Sequence, residues 1–259
     1  MLEEKLIIES VYKNETSLVE LFSDAYWVVL KNNNWVIRYV DKGLPGMYDH
    51  NFWSLDNLEE DDIEAITTLH TLKRENHIKI SSNKPLPLLE KYGFENEIIL
   101  TMLNKDYKSI NPKSNYLIEY KNVKDNEEII NDVIATEIIY YGKSYGISFC
   151  VRRWNHYFNK IKEGNNGLNI FACYYGNRIA GYCYTYYSDG VVGLDGLLVV
   201  EEFRNMYVAS NLIKYVANFY SCPIYLHASE DETAKELYKK LNFVTINKTY
   251  DYLKIDDKK

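Results

Sequence analysis

The chain has 259 residues, is 46% hydrophobic and 26% charged, and carries a net charge of −7, a balance that permits a buried core and excludes a disordered chain. No run approaches the ~18 apolar residues of a membrane helix, and the acidic start at Met1–Lys5 lacks the basic-then-apolar order of a secretion signal, so a cytoplasmic protein with no membrane partner is expected. Residues 1–110 hold 12 Lys+Arg against 19 Asp+Glu, and residues 111–259 hold 18 against 18, so neither part has the basic excess that a nucleic-acid partner requires.

In the first region, strands are expected at Tyr26–Leu30 and Trp35–Asp41, turned by Asn32, Asn33 and Asn34. Gly43, Pro45 and Gly46 break the chain before a possible strand at Met47–Ser54. Ile63, Ile66, Leu69 and Leu72 share one face of a helix over Glu59–Glu75, with acidic residues in its first turn. A strand at His77–Ser81, a short helix from Pro85 to Gly93 and a strand at Glu97–Leu103 follow. Pro at the start and Gly at the end of the helix match the usual asymmetry of helix ends. The polar stretch Asn104–Asn115, with Pro112, reads as a linker. It divides the chain into domains at 1–110 and 111–259.

The second region opens with a strand at Asn115–Tyr120 and helices at Asn126–Tyr140 and Ser148–Lys162, broken apart at Gly142 and Gly146. Strands at Leu168–Tyr174, Arg178–Tyr187 and Gly190–Val200 are joined by Gly176-Asn177 and Ser188–Gly190, turns that favour antiparallel hairpins. A helix over Tyr207–Tyr220 presents Leu212, Ile213, Val216 and Phe219. A strand at Pro223–His227, a helix at Asp231–Leu241 with Asp231 as N-cap, and a strand at Tyr250–Ile255 complete the chain. The fold class is α/β, an α+β mixed sheet with helices on both faces. Cys150, Cys173, Cys183 and Cys222 form no C-x-x-C pair, and the five histidines have no H-x-x-x-H spacing. The cysteines read as small hydrophobes in a reducing compartment, and no metal is expected.

The stretch most informative for chemistry is Leu197–Leu212. A strand runs through a short loop with Arg204 directly into a helix, which aims unpaired N–H groups and the positive end of the helix dipole into the crevice at the strand's end. That geometry suits a pyrophosphate. The residues here resemble the GNAT N-acetyltransferase superfamily, whose acyl-CoA loop reads R/Q-x-x-G-x-G/A after an L-x-V strand. Leu197 and Val199 match the strand, and Arg204, Tyr207 and Ala209 fall on the loop positions, with Tyr207 in place of the first glycine. Further on, Asp231–Phe243 resembles N-x-x-A-x-x-L-Y-x-K-x-G-F through Ala234, Leu237, Tyr238, Lys240 and Phe243, with Asp231 for Asn and Asn242 for Gly. The two elements stand in the family's order, and the resemblance covers roughly residues 115–255. Leu88–Phe94 resembles Leu237–Phe243, with Phe94 and Phe243 149 residues apart. This suggests a second, degenerate GNAT-like domain at 1–110 that lacks the loop.

The resemblance implies acyl transfer from acetyl-CoA to a primary amine of a small molecule or peptide. It implies that the backbone of Leu197, Leu198 and Val199 bonds the pantetheine arm and polarises the thioester. Arg204, Asn205, Met206, Tyr207, Val208, Ala209 and Ser210 would cradle the pyrophosphate, with Asp231 also on the cosubstrate side. Tyr207 is expected at an ordinary negative helical φ. Tyr238 would hydrogen-bond the departing sulfur. Full proton transfer from a phenol to a thiolate is uphill by ~1.5 pK units, about 2 kcal/mol. The amine must be neutral to attack, which calls for a base. Asp195 is the first candidate, Glu137 the second and His227 the third. The acceptor is expected near the early helices, Tyr140–Asn159, which include Arg152, Arg153 and Trp154.

Overall fold

The computed structural model describes residues 2–30, 34–73, 75–113 and 118–255. In chain order the elements are α1 (Leu2–Phe22), β1 (Asp24–Val29), β2 (Trp35–Val40), β3 (Trp53–Ser54), α2 (Glu60–Lys73), β4 (His77–Ser82), α3 (Leu88–Lys91), β5 (Glu95–Asn104), β6 (Ile118–Asn122), α4 (Ile129–Tyr145), α5 (Ile147–Lys162), β7 (Leu168–Tyr175), β8 (Arg178–Ser188), β9 (Val191–Val199), α6 (Val208–Tyr220), β10 (Ile224–Ser229), α7 (Ala234–Lys240) and β11 (Val244–Ile255). Among the described residues no helix is long and apolar enough to cross a membrane. The turn expected at Asn32 and Asn33, and the strand start expected at Asn115, lie outside the described residues.

The chain forms two units. The first comprises residues 1–17, 102–227 and 233–246, and the second comprises 18–101, 228–232 and 247–259. In the first, the strand order is β10-β9-β8-β7-β6. β6 to β9 are antiparallel neighbours, while β10 runs parallel to β9. Side chains alternate across β8. Tyr182 and Tyr184 meet Trp154 of α5 edge-on, at ring distances of 5.2 and 6.3 Å. On the opposite face, Thr185 hydrogen-bonds Tyr220 of α6, and Phe171 of β7 packs on Phe219.

No element is expected over residues 2–22, yet they form α1. Its Ile7, Ile8 and Val11 pack with Leu103, Val191 and Tyr225. A buried amide, Asn14, interrupts that apolar stripe. It bonds Ser188 Oγ at 2.9 Å and accepts from Tyr225 Oη at 2.7 Å, which pins α1 to the β8–β9 hairpin and β10.

In the second unit the order is β1-β2-β3-β4-β11-β5. β1 and β2 form an antiparallel pair from Asp24↔Val40 to Val29↔Trp35, and β4 pairs antiparallel with β11. Ile63 and Ile66 of α2 close one face over Val36, Trp53, Ile78, Ile80 and Leu89.

The strand expected over Met47–Ser54 shrinks to Trp53–Ser54. Side chains curl the chain ahead of it. Asp41 accepts from the N–H groups of Gly43 and Leu44 and from His50 Nδ1, while Asn51 donates to the carbonyls of Leu44 and Met47. Two further expectations change. α4 runs through Gly142 and ends only at Gly146, where φ is +88°. α7 starts at Ala234 with Thr233 as N-cap, so Asp231 lies on the exposed turn ahead of the helix.

The suspected repeat has a geometric counterpart. Two residues after the end of α3 stands Gly93 with φ +80°, and two after the end of α7 stands Asn242 with φ +64°. The Phe94 N–H donates to Leu89 O at 3.2 Å, and the Phe243 N–H donates to Tyr238 O at 3.0 Å. Both are six-to-one bonds of a left-handed helix stop. Asn242 replaces a glycine without loss of the turn because Asn tolerates this region better than most residues.

Candidate active site

β9 changes neighbours along its length. Its pairing with β10 spans Val192↔Ile224 to Leu194↔Leu226 and ends there among the described residues. β9 itself continues to Val199, paired on its other edge with β8. Asp195–Val199 therefore present one open backbone edge.

Between Tyr182↔Leu198 and Tyr184↔Asp195 the register slips by one residue, a bulge in β9. Gly196 sits in it at φ +61°, and a Cβ there would meet the Tyr184 ring at 3.0 Å. The Val200 N–H donates to Ala180 O on the β8 side. By alternation along a strand, the N–H of Val199 faces the open edge.

The loop after β9 places the start of α6 beside this edge. Arg204 is exposed, with Nε 3.5 Å from Val199 O. Val208 packs over Gly181 of β8, next to the Leu198 carbonyl: a Cβ on Gly181 would meet these at 3.3 and 2.7 Å. Asn205 and Tyr207 both have positive φ, +63° and +59°. Tyr207 thus takes a left-handed N-cap conformation, not the expected negative φ. This explains why a glycine suits the position. An L-residue there costs about 1–2 kcal/mol.

The Tyr207 ring is half exposed and lies under Lys113 Nζ, 5.4 Å from the ring centroid. The Tyr207 carbonyl accepts from the Asn211 N–H. Among the described residues no acceptor is bonded to the N–H groups of Tyr207, Val208, Ala209 or Ser210. Met206 is half-buried in the same turn.

The candidate bases are treated unequally. Asp195 is exposed and held from two sides. Its Oδ2 accepts from the Tyr184 hydroxyl at 2.7 Å, and its Oδ1 accepts from the Gly196 N–H at 2.6 Å. Burial, with Asp195 adding to it, pushes the Tyr184 hydroxyl well above its ordinary range, so Tyr184 stays a donor. Glu137 is 1% exposed. Arg153 Nη1 bonds its Oε1 at 2.9 Å, and the Tyr182 hydroxyl donates to its Oε2. With both oxygens engaged and no solvent access, Glu137 is unsuited to take a proton from a substrate. His227 lies on β10 toward α1, with Nε2 2.9 Å from Glu15 Oε1.

Tyr238 of α7 is buried, with its ring 6.1 Å from that of Phe243.

Sequence reasoning missed Gly196 and the buried network beside it. Gly196 directly after Asp195, in a strand that also holds Gly193, was the available signal for the bulge. Arg153 is largely buried, with its side chain 15% exposed, and lies over Trp154 and Tyr157, at 5.5 and 5.9 Å. Burial works against its charge, but Tyr157, Glu137, Tyr184 and Asp195 outweigh that and keep the guanidinium protonated. Among the described residues no group of three or more His, Cys, Asp or Glu is placed to hold a metal ion.

Residues 138–243, which include this open, bulged edge and the start of α6, match the model of the acetyltransferase (GNAT) family. This part of the chain resembles a GNAT domain. No curated protein matches the chain in sequence. Solved structures match it in fold. One is a functionally unknown conserved protein from Staphylococcus epidermidis, with TM-score 0.71 and 21% identity over 90% of this chain and 95% of that one. Another is a GCN5-related N-acetyltransferase from Kribbella flavida, with TM-score 0.63 and 11% identity over 97% and 95%. A tandem GNAT protein from the clavulanic acid biosynthesis pathway matches with TM-score 0.52 and 10% identity over 87% and 80%. The fold is therefore that of GNAT acetyltransferases, the N-terminal region included.

Proposed function

We propose that the chain is an N-acyltransferase that moves an acetyl group from acetyl-CoA to a primary amine of a small molecule or peptide. The observation that carries this reading is the conjunction of the open β9 edge at Asp195–Val199 with the bare amides of Tyr207–Ser210. An extended amide-bearing arm suits the first, and a diphosphate suits the second. The residues present thus fit acetyl-CoA, which when bound supplies an activated thioester carbonyl.

In this reading the Val199 N–H donates into the slot, where it supports charge developing on an acyl oxygen. Arg204 and the first turn of α6 hold the diphosphate. Asp195 takes the proton that the amine sheds. A lysine-like amine is neutral only to about one part in 2,500 at pH 7, a penalty of ~4.6 kcal/mol, so a carboxylate at the acceptor side both draws in the cation and receives its proton. Tyr184 and the Gly196 N–H orient that carboxylate. Tyr238 donates a hydrogen bond to the sulfur as the amine's new bond to carbon forms and the carbon–sulfur bond breaks.

A non-catalytic acyl-CoA-binding protein is the second reading, motivated by the strained Tyr207 in place of glycine. Turnover of acetyl-CoA across a panel of amines separates the two. Thiol release that depends on amine and falls in Tyr238→Phe supports the enzyme, whereas tight acetyl-CoA binding with no release from any amine supports the second reading.

A further inference from the structure

Arg153 has more hydrogen-bond donors than the chain matches with acceptors. A guanidinium carries five N–H donors and no acceptor. Nη1 bonds Glu137 Oε1 at 2.9 Å, and Glu137 cannot turn to serve the rest, because the Tyr182 hydroxyl engages its Oε2. Among the described residues no acceptor is bonded to Nη2, and Nε is buried without a partner. The indole N–H of Trp154, whose ring lies under the guanidinium, is buried without a partner too. Buried donors left unmatched are rare and costly in folded proteins, and with the side chain 15% exposed little water reaches this one.

The open edge of the guanidinium lies beside the candidate base. A Cβ on Gly196 would stand 3.8 Å from Arg153 Nη2 and 3.0 Å from the Tyr184 ring, so the glycine keeps a gap there. Asp195, the preceding residue, is exposed and accepts from two neutral donors, the Tyr184 hydroxyl and the Gly196 N–H. Among the described residues no cation pairs with it in direct contact. The bulge of β9 thus presents a carboxylate without a contacting cation next to a guanidinium edge without an acceptor.

We propose that the acceptor carries a carboxylate close to its amine, as a free amino acid does, with the ammonium drawn to Asp195 and the carboxylate received at the Nη2 edge of Arg153. This rests on the acyltransferase reading above and narrows its acceptor. A carboxylate is the natural partner of a guanidinium edge. The Arg153–Glu137 pair is neutral and Asp195 adds one negative charge, so a dianionic phosphate meets repulsion, whereas a zwitterion brings no net charge. A polyamine would press a second cation on the guanidinium, and the N-terminal amine of a peptide has no carboxylate beside it.

Thiol release from acetyl-CoA by the full chain tests this, with the common amino acids, their carboxamides, simple monoamines and diamines as acceptors. At least one amino acid is expected to exceed its own amide in kcat/KM by about 10–100-fold, the value of hydrogen bonds to a charged group. Arg153→Lys keeps a cation beside Glu137 but loses the planar fork, so that ratio is expected to fall towards one, chiefly through KM. Calorimetry with the favoured amino acid is expected to show the same weakening. The double variant Arg153→Met/Glu137→Gln removes the buried pair together and is expected to lose the preference as well, so the test survives if the lysine variant fails to fold. Amides, monoamines or diamines used as well as amino acids would overturn the proposal and leave acyl transfer standing, as would a preference that persists in a folded Arg153 variant. Acetyl-CoA binding without turnover of any amine would defeat the acyltransferase reading and this proposal with it.

Discussion

The Tyr184 hydroxyl donates to Asp195 Oδ2 at 2.7 Å, from the strand neighbouring the bulge to the residue that opens it. The Gly196 N–H holds the other oxygen. Asp195 is thereby fixed in orientation while remaining exposed, which a proton acceptor needs and buried Glu137 lacks.

Asp195→Asn keeps the size and one of the two hydrogen-bond acceptors but cannot take a proton. Its kcat is expected to fall by about 10²–10⁴-fold, with acetyl-CoA affinity unchanged by calorimetry. Glu137→Gln is expected to act differently, lowering the melting temperature by disturbing Arg153 and Tyr182. An Asp195→Asn enzyme of full activity would remove Asp195 from the mechanism.

Tyr238→Phe removes one hydrogen bond to a developing thiolate. Such a bond to a charged group is worth about 1.5–3 kcal/mol, so kcat is expected to drop roughly 10–100-fold with little change in KM for acetyl-CoA. Steady-state kinetics with a thiol-release readout measure this.

Tyr207 occupies a left-handed N-cap at φ +59°. Tyr207→Gly relieves about 1–2 kcal/mol of backbone strain and restores about 0.5–1 kcal/mol of unfolded-state entropy. Stability in urea is therefore expected to rise slightly or stay level, and acetyl-CoA to bind at least as tightly. Tyr207→Val, β-branched at the same φ, is expected to be clearly destabilised. A Gly variant less stable than the Val variant would contradict the assigned conformation.

Buried tyrosines set the alkaline limit. Burial raises the hydroxyls of Tyr182, Tyr184 and Tyr225 above the usual phenol value. In the folded state they keep protons that the unfolded chain loses above pH ~10. The unfolded state then binds fewer protons, so stability falls as pH rises through that value and is fully present below it. Urea midpoints measured upward from pH 9 are expected to decline beyond pH ~10, and less steeply in Tyr184→Phe.

Much of this arrangement is legible in the amino-acid order. The strand–loop–helix at Leu197–Ser210 follows from an apolar run that meets a polar loop and then a helical stripe, and the Leu88–Phe94 likeness to Leu237–Phe243 reappears as identical backbone bonds. What was not legible depends on tertiary context. A tyrosine does not advertise a positive φ, so Tyr207 reads as ordinary helix. α1 was hidden because its key contact, Asn14, is polar and finds its partners more than 170 residues away. Asp41 and Asn51 bend a stretch that looks like a strand, because their side chains replace the ladder bonds. Glu137 looks like any helix carboxylate until Arg153 and Tyr182 are seen to occupy it.

The most direct test is calorimetric titration of the full chain with acetyl-CoA, alongside an Arg204→Glu variant. The account predicts one-to-one binding that the charge reversal weakens by an order of magnitude or more while the fold is retained. Absence of heat at high micromolar acetyl-CoA, or affinity indifferent to Arg204, would contradict the claim that the start of α6 receives a diphosphate.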